Sequence, residues 1–104
     1  MTDLDLVFTA LADGTRRRIV ERLALGDATV NELAEPFDLT QQAISKHLKV
    51  LENARLITRT RAGRSRPCAL DTDRLENAVG WIERNRRLWA ERHDRLAQHL
   101  ETLR

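Results

Sequence analysis

The chain has 104 residues, 41% of them hydrophobic and 33% charged, with a net charge of +2 and one cysteine. Such a composition allows one compact, helix-rich domain and excludes a disordered tract. No apolar run approaches the roughly 20 residues of a membrane span, and Met1-Thr-Asp-Leu-Asp5 is acidic where a secretory signal is basic, so a cytoplasmic protein is expected. Cys68 has no partner for an internal disulfide. The charge is unevenly spread: residues 1–39 hold four arginines against eight acids, residues 40–70 hold seven basic residues against Glu52, and residues 71–104 hold seven of each sign. Segregation of this kind marks one surface for a polyanion.

In chain order, Leu4, Val7, Phe8 and Leu11 follow helical spacing and predict a first helix over 3–12, with an apolar stripe wide enough to need cover from elsewhere. Asp13 is a natural N-cap for a second helix from Gly14 to Leu25, with Ile19, Val20 and Leu23 inward and Gly26 ending the run. Arg16, Arg17 and Arg18 fall in its first turn, where the helix dipole disfavours cations, so acidic neighbours or phosphate are expected to hold them. Thr29 and Glu32 form a capping box for a third helix with Val30, Leu33, Ala34 and Phe37 inside, and Pro36 limits its length. A short turn leads to Thr40, the N-cap of a fourth helix. Two short helices joined so tightly, spanning 29–53, form the pattern of a helix-turn-helix.

The fourth helix has two unlike sides. Ile44, Leu48 and Leu51 recur at core spacing, while Gln42, Ser45, Lys46 and Lys49 share the opposite side and Gln41 borders it. Amides, hydroxyls and amines bond base edges and phosphates, so this helix is expected to enter the major groove of double-stranded DNA. Gln41, Gln42 and Ser45 then face bases, and Thr40, Lys46 and Lys49 hold the backbone. His47 lies nearer the apolar side, where packing and phosphate contact are both open to it. Residues 56–61 and 66–70 are β-prone around Ala62-Gly63-Arg64-Ser65, predicting a hairpin whose returning strand is an edge or short because Pro67 cannot donate to a ladder. Arg59, Arg61, Arg64 and Arg66 make it a candidate wing over 56–70, laid on phosphates or into the minor groove.

A long helix should follow over 71–104. Leu75, Val79, Ile82, Arg86, Trp89, His93, Leu96, Leu100 and Leu103 advance by fours and threes, a heptad seam interrupted by Arg86 and His93. Roughly 32 helical residues would span about 48 Å, more than so small a domain can cover. A two-fold homodimer is expected, with Leu4, Val7, Phe8 and Leu11 of the first helix and Ile82, Trp89, His93, Leu96, Leu100 and Leu103 of the last at the seam. The fold class is therefore mainly α with a small β-hairpin: one winged helix-turn-helix domain over 1–104, closed by a long dimerisation helix.

Ala10-Leu-Ala-Asp-Gly-Thr-Arg-Arg-Arg-Ile19, Val30-Asn-Glu-Leu-Ala34, Ala43-Ile-Ser-Lys-His-Leu-Lys-Val-Leu51 and the hairpin together resemble the ArsR family of bacterial winged-helix repressors. The likeness covers about residues 4–70. The tail around Trp81 and Leu88–Leu96 is similar to a branch without metal sites. The resemblance implies a homodimeric repressor acting on a partly palindromic operator. Two positions depart from the family pattern: Gly14 stands where many relatives have proline, and Arg55 where many have glycine before the wing, so a positive φ there would strain it.

The same residues bear on other functions. Metal-sensing relatives carry paired cysteines on the third helix or Asp and His ligands on the last. This third helix has neither thiol nor imidazole, and His93 and His99, six apart, do not share a helical face. His93 is better explained as a polar seam residue than as an intersubunit ligand, and no metal or other cofactor is expected. Cys68 would sense oxidation only if the surrounding arginines lowered its pKa. An enzyme is not expected, since the chain has no Gly-rich phosphate loop, nucleophile-base arrangement or ligand cluster. The sequence also allows a winged-helix protein-interaction module without DNA binding and a redox- or metal-responsive repressor. The effector is not legible.

Overall fold

The computed structural model describes residues 1–60 and 66–103. Helix α1 spans Asp3–Leu11, α2 Gly14–Leu23, α3 Val30–Ala34 and α4 Gln41–Asn53. Strands β1 (Ile57–Arg59) and β2 (Cys68–Leu70) form the base of the hairpin, and α5 runs from Asp73 to Thr102.

Helix starts follow local chemistry. The Asp13 side chain accepts from the Arg16 N–H, Thr29 and Glu32 close a reciprocal capping box, and Thr40 accepts from Ala43 N–H at 3.1 Å. A further box, Thr2 with Asp5, opens α1. Pro36 has the expected effect: α3 stops at Ala34 and tightens into a 3₁₀ turn over Glu35–Phe37. Asp38 then takes a left-handed conformation, φ 52°, which a short polar side chain tolerates.

The end of α4 is less ordinary. Arg55 donates its N–H to Glu52 O and Leu56 to Leu51 O, the double bond of a Schellman ending, and Leu51 meets Leu56 with both fully buried. The motif requires a left-handed residue, and Arg55 adopts φ 59° where glycine is usual.

The core gathers one face from each element of the winged region. Val7 and Ala10 of α1, Ile19 and Leu23 of α2, Leu33 of α3, Ile44, Leu48 and Leu51 of α4, then Leu56, Ile57 and Cys68 are all buried. The strands are antiparallel with Ile57 opposite Leu70 and Arg59 opposite Cys68. β2 is short, as Pro67 requires, but Cys68 is not at an edge. Its N–H donates to Ala28 O at 2.7 Å and its carbonyl accepts from Ala28 N–H, so the loop after α2 clips the hairpin base to the helices.

Helix α5 is different in kind. Its 30 residues measure about 45 Å. Among its described residues Ala78 is buried and Leu75 packs against the core, whereas Val79, Trp81, Ile82, Leu88, Trp89, Leu96, Leu100 and Leu103 are exposed. Arg74 pairs with Asp3, and Trp81 meets the edge of Phe8 at 5.9 Å, so only the first turns of α5 are held by α1. The radius of gyration is 19.2 Å, against about 13 Å for a compact domain of this size.

Candidate nucleic-acid interface

Helix α4 is seated by Ile44, Leu48 and Leu51, each fully buried, and its outer side carries Gln42, Lys46 and Lys49 exposed with Ser45 half-buried. Thr40 spends its oxygen on the cap, which pins the first turn. Gln41 donates its amide to Asn31 Oδ1 on α3, tying the two helices of the helix-turn-helix at their solvent side. Asn31 is not among the residues that the sequence singles out, and only the contact across the turn brings it to α4. Arg22 reaches Glu32 at 3.8 Å and steadies α3 from behind.

Two of the three arginines of α2 are held by backbone carbonyls of α1. Arg16 donates from Nε to Ala10 O at 2.7 Å and from an Nη to Thr9 O at 3.1 Å, while Arg17 donates to Leu11 O at 2.8 Å. Those carbonyls are the electron-rich end of α1, so one helix's negative pole satisfies cations that sit badly at the positive pole of the next. Arg18 instead stacks over the Phe37 ring, 4.7 Å from its centroid. His47 joins this arrangement: Nδ1 lies 3.4 Å from Arg16 Nη and 3.9 Å from Asp13 Oδ2. The Asp13 carboxyl is held below the usual carboxylate range chiefly by the Arg16 backbone N–H, with Arg16 and His47 adding to it.

On the hairpin, Arg59 is half-buried beside Cys68 and Arg66 is exposed; Arg61 and Arg64 lie outside the described residues. A wing packed against a helix-turn-helix is the architecture of a winged-helix DNA-binding domain.

A family model described as bacterial regulatory protein, arsR family, matches residues 13–59, from the α2 cap through β1. The transcriptional repressor SdpR of Bacillus subtilis is 37% identical over 76 residues, covering 73% of this chain and 84% of that protein. The chain belongs to the ArsR family. The crystal structure of the ArsR family transcriptional regulator RHA00566 superimposes with a TM-score of 0.80 at 38% identity, covering 86% of this chain and 98% of that one. The regulator Rv2034 of Mycobacterium tuberculosis is 52% identical over 67 residues, 64% of this chain; the match spans 63% of that protein, just under two thirds of its length. This ArsR protein is thus a transcriptional regulator with a winged helix-turn-helix DNA-binding domain.

The residues expected at the ArsR protein's seam divide by position. Phe8, Ile82, Trp89, Leu96, Leu100 and Leu103 are exposed, and His93 is exposed with its ring 4.0 Å from that of Trp89. Leu4 and Leu11 are half-buried and already packed on the core. Val7 has to be reassigned: at 1% exposure it lies inside the protomer, because α1 turns it toward the core rather than outward. Cys68 does not meet the condition set for a sensing role. It is fully buried, and burial pushes its thiol upward, outweighing the opposing pull of Arg59. Among the described residues, no three His, Cys, Asp or Glu side chains converge as a metal site requires, and no helix is long and apolar enough to cross a membrane.

Proposed function

We propose that this ArsR protein is a homodimeric repressor that places one α4 from each subunit in successive major grooves of a partly palindromic operator. The observation that carries the reading is the outer side of α4, where Gln42, Ser45, Lys46 and Lys49 stand on a helix fixed by a cap, a buried apolar face and the Gln41–Asn31 bond. Amides and a hydroxyl in the first two turns suit base edges, and the two lysines suit the flanking phosphates. Arg66, exposed at the base of the hairpin, adds to this positive surface. Two copies are needed because α5 leaves a stripe from Ile82 to Leu103 exposed and because two-fold DNA sites match two-fold proteins. As a DNA-bound regulator it would act in the cytoplasm.

The test is selection of duplex fragments from the source genome, followed by gel shifts over a salt series. Binding should fall steeply with salt. Lys46→Ala and Lys49→Ala should each flatten the log–log salt slope by about 0.9 per subunit while weakening all sequences alike, whereas Gln42→Ala should relax the sequence preference. No shift at low salt on any duplex would exclude the repressor and favour a protein-binding module.

A further inference from the structure

Helix α4 meets the rest of the protein in two ways. Ile44, Leu48 and Leu51 press it on the core, a non-directional contact that permits a helix to roll or slide by a fraction of a turn. Directional bonds add to it, Gln41 to Asn31 on α3 and His47 to Arg16 on α2. On the flank away from Lys49, His47 turns Nδ1 inward to Arg16, whose guanidinium is already fixed by the Thr9 and Ala10 carbonyls at the end of α1. For Arg16 to donate, Nδ1 presents its lone pair and the ring proton sits on Nε2. Asp13, capping α2 beneath them, faces the same ring nitrogen at 3.9 Å and braces the arginine. Beyond Arg16, α1 is joined to α5 by the Asp3–Arg74 pair and the Phe8–Trp81 contact.

We propose that His47 is a positioning residue for DNA recognition: its bond to Arg16 ties the reading helix to α1, and through α1 to α5, and so sets the separation of the two reading helices in the dimer. The inference rests on the homodimeric DNA-binding reading above. A two-fold operator presents its half-sites about one helical turn, ~34 Å, apart, so a small roll of α4 in both subunits changes which spacing fits. His47 acts here through Nδ1 and Arg16, and the side chain has no need to touch DNA.

The two ends of the imidazole can be tested separately in the full-length protein. His47→Asn puts an amide oxygen where Nδ1 stood, His47→Gln puts an amide nitrogen near the place of Nε2, and His47→Leu removes both. Each is measured on the duplex that the wild type selects and on versions with half-sites moved by one or two base pairs, with circular dichroism to establish folding at the assay temperature. Expected is near wild-type affinity and spacing preference for His47→Asn, with about tenfold loss for His47→Gln and His47→Leu at the original spacing and a broadened preference. Wild-type binding by His47→Gln with loss in His47→Asn would overturn the proposal by showing that Nε2 contacts DNA. Unchanged binding in all three, or equal loss at every spacing, would also overturn it. If the wild type selects no duplex at low salt, the DNA-binding reading itself falls and this one with it.

Discussion

Arg55 shows how much one backbone angle can cost in a small domain. It closes α4 in a left-handed conformation, φ 59°, that L side chains with a Cβ occupy at about 1–2 kcal/mol, while the bonds around it need that conformation to turn the chain into β1. Arg55→Gly removes the clash and returns part of the gain as extra freedom of the unfolded chain. The variant should therefore be more stable by about 0.5–1 kcal/mol in denaturant unfolding at fixed protein concentration. A loss of stability would mean that the Arg55 side chain makes a contact worth more than the strain. The family pattern marks this site from sequence alone, because a glycine just after a helix has a known backbone reason. The arginines of α2 had no such local rule. Their partners lie six or seven residues back on another helix, and only the angle between α1 and α2 brings carbonyls and guanidinium groups together.

Among the elements, the helix starts were readable because a cap spans three residues and is settled by side-chain chemistry alone, as Asp13, Thr29 and Thr40 show. Thr2 with Asp5 escaped because the acid of the box is one methylene shorter than the usual glutamate. What escaped more completely was pairing between elements: the Ala28–Cys68 bridge and the Gln41–Asn31 bond join segments with no shared periodicity. The caps also determine the response to acid. Asp5, Asp13 and Glu32 are each lowered first by a backbone N–H, from Thr2, Arg16 and Thr29 respectively. A carboxyl lowered on folding adds stability that is fully present above the ordinary carboxylate range and is lost as pH falls through the depressed value. Stability should thus be flat from pH 7 to about 5 and decline below 4. Asp13→Asn keeps the cap acceptor and cannot titrate, so urea melts from pH 7 to 3 should show a shallower decline for it than for the wild type. Parallel curves would rule out Asp13 as a contributor.

At the scale of the molecule, heptad spacing made the exposed stripe on α5 legible, whereas the place of Val7 depended on how α1 rolls against α2 and α4, which spacing does not specify. Since the distal half of α5 is exposed among the described residues, changes there should separate assembly from folding. Leu96→Glu with Leu100→Glu should leave the protomer's helical signal and core intact and make it a monomer in light scattering. Operator affinity should drop by about a hundredfold or more as two linked contacts become one. A variant that stays dimeric would place the interface elsewhere.

The same stripe carries two residues that do nothing for stickiness. Arg86, joined to Glu83, and His93, stacked on Trp89, break an otherwise apolar row. A foreign helix with only leucines opposite them would have to strip water from a guanidinium and an imidazole without replacing their partners, whereas an identical copy can meet each in a fixed register. In the homodimer proposed above, these interruptions would act as a password that keeps each reader with its own twin.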